Sequence, residues 1–146
     1  MFVFRLQPVL EHRKNMEEKA QCEFSAATLK LRTEQTTLTA LQDEEILLGA
    51  QWRNLAVQPA KAPDFGLYAD YIKRVQQSIR AQAAVVRTAE EAAERKRSAL
   101  LAVVKERKML ETFREKQRLA YENWVAGREQ KNLDEVSILK FKWEES

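Results

Sequence analysis

Side chains suited to nucleophilic or metal chemistry are scarce here: one histidine, His12, and one cysteine, Cys22, in 146 residues. A tetrahedral metal shell needs several such ligands, and a catalytic pair needs a concave pocket around it. No GxxxxGK[ST] stretch exists to cradle nucleotide phosphates. A lone Cys22 excludes an intramolecular disulfide and suits a reducing cytosol. The residues therefore point away from an enzyme, a metal and a cofactor. What does stand out is REKQRLAYENW (114–124), where Arg114, Lys116 and Arg118 lie close to Tyr121 and Trp124, with Arg128 just beyond. Cations interleaved with aromatic rings suit docking against another surface. The net charge of +3 is small and both signs are mixed along the chain, so an acidic protein surface suits it as a partner at least as well as nucleic acid.

The elements that must position these residues are helical. Ala, Glu, Lys, Leu and Arg make up just over half of the chain, with only 3 Gly and 3 Pro, a bias typical of long helices and coiled coils. From Leu6, alternating steps of four and three pass through Leu10, Arg13, Glu17, Ala20, Phe24, Ala27, Leu31, Glu34, Leu38, Leu41, Glu45, Leu48, Trp52 and Leu55. Most of these are apolar, which predicts a coiled-coil seam. AVQPAKAPDFG, with Pro59, Pro63, Asp64 and Gly66, reads as a turn at about 57–66. A second stripe runs from Tyr68 through Ile72, Val75, Ile79, Gln82, Val86, Ala89, Ala93, Lys96, Leu100, Val103, Arg107, Leu110, Arg114, Gln117, Tyr121 and Trp124, and weakens thereafter.

The expected fold is thus all-α: one coiled-coil domain over 1–146, an antiparallel two-helix hairpin with helix one at about 5–56 and helix two at about 67–140. Folding at about residue 61 sets Leu48 against Val75, Phe24 near Leu100 and Ala20 against Val103. Glu17 then approaches Arg107, a pair that either fixes the register or sits at the seam edge with little effect. At 1.5 Å per residue the helices would be about 75 Å and about 110 Å long. Helix two therefore overhangs at its C-terminal end, and the overhang still carries Tyr121, Trp124, Val125, Leu133, Val136, Ile138, Leu139, Phe141 and Trp143. It either frays or waits for a partner.

The opening MFVFRLQPVL is too short in apolar residues, and too soon broken by Arg5, to be a secretory signal. No stretch approaches the roughly 20 apolar residues of a membrane span. Pro8 suits a first helical turn, and Phe2, Val3 and Phe4 are expected to pack on helix two near 117–121. At the other end Phe65, Leu67 and Tyr71 close the hairpin tip by local packing or form a docking surface.

FRLQPVLEHRK, EEKAQCEF, the proline-broken turn, LYADYIKRV, REKQRLAYENW and LDEVSILKF together resemble the flagellar type III export protein FliJ family, over essentially the whole chain. The resemblance implies a non-enzymatic, cytoplasmic coiled coil, shaped like a rotary-ATPase stalk and peripherally associated with the inner membrane at the flagellar base. It implies binding to the hexameric flagellar export ATPase ring, contact with the export-gate membrane protein, escort of export chaperones, and a need for the protein in flagellum assembly, motility and chemotaxis. On that reading Arg114, Lys116, Arg118, Tyr121, Trp124 and Arg128 face the ATPase, and the tip with Phe65, Tyr71 and Val75 faces the gate. The alternatives are a general coiled-coil adaptor or chaperone escort acting as a homo-oligomer, and a nucleic-acid-binding rod based on residues 95–118, against which the interleaved acids argue.

Overall fold

In the computed structural model, which describes residues 1–57 and 62–145, the chain forms two helices and, among the described residues, no strand. Helix α1 runs Gln7–Ala56 (50 residues) and α2 runs Ala62–Glu145 (84 residues). The fold is an all-α helical hairpin in which α2 is the longer element.

Both helices begin at a proline-containing first turn. Pro8 is the second residue of α1 and Pro63 the second of α2. A first turn leaves its N–H groups without intrahelical partners, so proline loses nothing there. This is why α2 starts at Ala62, ahead of the expected 67: residues 62–66 continue into the helix instead of forming turn. Pro59 lies outside the described residues. At the other end α2 persists to Glu145, beyond the expected 140. Phe4 and Leu6 carbonyls receive the Gln7 and Leu10 amides at 3.1 and 2.9 Å, fixing the entry into α1.

The chain divides into two compact units, and each helix contributes to both. One comprises 19–101. Its core holds Leu48, Val75, Val86, Ala89 and Ala93, all buried. Polar contacts edge this core: Lys96 Nζ to Glu23 at 3.1 Å, Gln82 Nε2 to Glu34 at 2.6 Å, and Gln76 Nε2 to Glu45 at 3.1 Å. Rising numbers on α1 meet falling numbers on α2, so the helices run antiparallel. Trp52 stacks on Phe65 with centroids 4.6 Å apart, joining α1 to the start of α2.

The other unit comprises 1–18 and 102–146. Leu10 is fully buried and Phe4 is 6% exposed. Phe2 packs against Tyr121 (5.8 Å between centroids) and Phe4 edge-on against Phe113 (6.1 Å). The expectation for the opening residues needs correction in two respects. Phe4 sits earlier on α2 than 117–121, and Val3 is exposed.

The heptad stripe of α1 is buried or half-buried from Leu10 through Leu55. On α2 the stripe, apart from the exposed Lys96, holds as far as Leu110 and then drifts. Arg114, Gln117 and Trp124 are exposed, whereas Arg118 and Val125 are half-buried. A 3.6-residue helix stays in register with a seven-residue repeat only when it supercoils around another helix. Beyond Leu110 the partner is the non-helical Met1–Leu6 segment, so the covered face of α2 rotates by about one residue.

Candidate partner-binding surfaces

Past Val125, every described residue of α2 is exposed. Leu133, Val136, Ile138, Leu139 and Phe141 are 56–62% exposed, an unusual density of apolar side chains for a solvated helix. Immediately before them lies an aromatic–basic cluster. Tyr121 and Trp124 have centroids 6.2 Å apart, and the Arg128 guanidinium lies 5.4 Å from the Trp124 ring. That geometry is a cation–π contact, which leaves most guanidinium donors available to acceptors. The Met1 amino group donates to the Tyr121 hydroxyl at 2.8 Å, which also holds this ring through its hydroxyl.

The four cations are not equivalent. Arg118 donates to Glu115 and to Glu122, one turn before and one turn after it on the same helix. Bonding to Glu115 above all raises the Arg118 pKa, and the same bonds hold the Glu115 carboxyl below its ordinary range. Its charge is thus already matched within α2. Arg114 and Lys116 are exposed. Of the six residues grouped from the sequence, the structure joins Tyr121, Trp124 and Arg128 in one cluster and ties Arg118 to its own helix.

The hairpin tip presents a second surface. Tyr71, 43% exposed, donates from its hydroxyl to Glu44 Oε1 at 2.6 Å. That hydrogen bond, reinforced by the carboxylate's charge, pushes the phenol pKa above its ordinary value. Phe65 is half-buried on Trp52. Val75 is only 5% exposed, so it supports the core and offers no contact surface. Leu67, named with the tip from the sequence, is 68% exposed, and two residues overlooked there are similarly accessible: Ile46 at 68% and Leu47 at 58%. The run Ile46-Leu47-Leu48 held the signal, because only Leu48 fits the heptad and its two neighbours must point elsewhere.

Glu17 and Arg107 meet. Arg107 Nε bonds one Glu17 oxygen, Nη2 lies 3.3 Å from the other, and Nη1 donates to Glu111 at 2.9 Å. Bonding to Glu17 first and Glu111 second raises the Arg107 pKa. Next to them Arg13 pairs with Glu106 at 2.6 Å.

Among the described residues, no three His, Cys, Asp or Glu side chains are placed to hold a metal, and no helix is long and apolar enough to cross a membrane. Cys22 is exposed. Comparison with known families decides the assignment: a family model for the flagellar FliJ protein matches residues 1–146. The chain belongs to the FliJ family. Comparison with curated proteins and with solved structures gave no match in either case. FliJ proteins are non-catalytic components of the flagellar export apparatus, so this chain is a component of flagellar protein export.

Proposed function

We propose that this FliJ-family chain works as a stalk-like coiled coil, one domain over 1–146, that binds the hexameric flagellar export ATPase and links it to the export gate. The observation that carries the reading is the C-terminal part of α2, whose described residues are exposed from 126 to 145 although much of their surface is apolar. A helix of this composition gains most by being covered. Arg114, Lys116 and Arg128 meet acidic side chains of the ATPase, with Tyr121 and Trp124 as flat apolar anchors beside them. Arg118 contributes less, because Glu115 and Glu122 already satisfy it.

On the same reading, the tip with Phe65 and Tyr71 faces the export-gate membrane protein, and Val75 keeps the two helices packed beneath it. Leu67, next to the tip in sequence and 68% exposed, belongs to that surface. The Glu17–Arg107 pair sets the register of α1 against α2 in its unit. Export chaperones are further partners. The protein acts in the cytoplasm, peripherally on the inner membrane at the flagellar base, and supports flagellum assembly and hence motility and chemotaxis.

The test is the ATP hydrolysis rate of the flagellar export ATPase from the same organism, with and without the chain. A companion variant carries Arg114→Ala, Lys116→Ala and Arg128→Ala. Stimulation by the chain that the triple variant lacks supports the reading, and an equal rate with both counts against it.

A further inference from the structure

Spacing divides the exposed side chains of residues 126–145 into two stripes. Asn132, Val136, Leu139 and Trp143 follow one another in steps of four, three and four. Asp134, Ile138, Phe141 and Glu145 make a second stripe, rotated from the first. We propose that the first stripe is a self-association seam on which a second copy of this chain lies antiparallel.

The charge pattern selects both the occupant and the direction. In an antiparallel pair with Val136 opposite Leu139 of the second copy, the two-fold axis generates the same contact twice. Asn132 then lies opposite Trp143. Flanking this core, Glu135 of each copy comes beside Lys142 of the other, so two opposite-charge contacts form per dimer. Lys140 comes beside Leu133, where its aliphatic stem covers the leucine and its ammonium group stays in water. The second stripe fails the same test, because an antiparallel pairing of Ile138 with Phe141 sets Asp134 against Glu145.

From Asn132 to Trp143 the seam covers 12 residues, or about 18 Å of helix. It lies beyond Val125, the last half-buried residue of α2, so the second copy meets only exposed helix. Fewer than two heptads make a weak dimer, with a dissociation constant on the order of 100 μM. This inference does not depend on the ATPase reading. It draws on the same part of α2, so a second copy and a ring partner compete for it.

Sedimentation equilibrium of the full chain over a range of concentrations tests the proposal, using the parent, Glu135→Lys, Lys142→Glu and the double variant. Both substituted side chains are exposed, and far-ultraviolet circular dichroism checks that the helices persist. The parent is expected to shift from monomer to dimer as concentration rises. Each single exchange should weaken the dimer about tenfold, and the double exchange should restore it to within about threefold of the parent. A parent that stays monomeric at millimolar concentration overturns the proposal. So does a dimer indifferent to the single exchanges, or one that the double exchange fails to restore. No ATPase is present in this measurement, so its failure leaves the ATPase reading untouched.

Discussion

Arg107 on α2 binds both carboxylate oxygens of Glu17 on α1 while turning its remaining nitrogen to Glu111. The two partners are only 20% and 26% exposed, less than either member of the neighbouring Arg13–Glu106 pair. A two-pronged ionic contact at a partly covered seam is directional, and sliding α2 by one residue breaks both prongs.

Glu17→Gln and Arg107→Gln should therefore each lower the thermal midpoint, more at low than at high salt. The exchanged pair, Glu17→Arg with Arg107→Glu, should recover part of the loss, short of the parent because Glu111 then faces a carboxylate. Melting curves of the four proteins at two salt concentrations check this. Equal midpoints throughout would assign the pair no role in register.

Among the described residues, Leu10 is the most completely buried large side chain, and it lies in a unit with few other core residues. Leu10→Ala removes buried methyl groups and leaves a void, at a cost of about 2–5 kcal/mol. Urea unfolding should show a lower midpoint. Leu139→Ala, at a residue 57% exposed, should leave that midpoint nearly unchanged.

Tyr71 donates to Glu44 only while its phenol is protonated. Its folded-state pKa is raised above the ordinary 10.0, so the stabilisation is complete below about pH 10 and is lost as pH rises through the folded-state ionisation. Alkaline titration followed by phenolate absorbance should show one tyrosine titrating late. Glu44→Gln should bring it earlier, because the carboxylate supplies the two largest causes of the shift. A titration curve unchanged by that substitution would contradict the contact.

Much of this architecture is legible in the sequence, and the exceptions have physical reasons. The seam from Leu10 to Leu55 is readable because an uninterrupted 3.5-residue period admits no other buried face. The start of α2 is not, since Pro63 reads as a breaker until its place in a first turn is known. The rotation of α2 beyond Leu110 depends on the partner there being Met1–Leu6, a segment without helical period. Arg118 could have been separated from the other cations in advance, because Glu115 and Glu122 stand three and four residues away on the same helix. Val75 belonged to the seam by its spacing, and its 5% exposure removes it from any contact surface. Ile46 and Leu47 were legible as heptad misfits.

The most direct test of the central claim compares ATP hydrolysis by the flagellar export ATPase in the presence of the full chain and of a chain ending after Val125. The shorter chain keeps Leu10, Phe4 and Tyr121 and so retains the packing of its unit. If the exposed part of α2 engages the ATPase, the full chain raises the rate and the shorter one does not. Equal stimulation by both would contradict that engagement and leave the exposed helix to another partner.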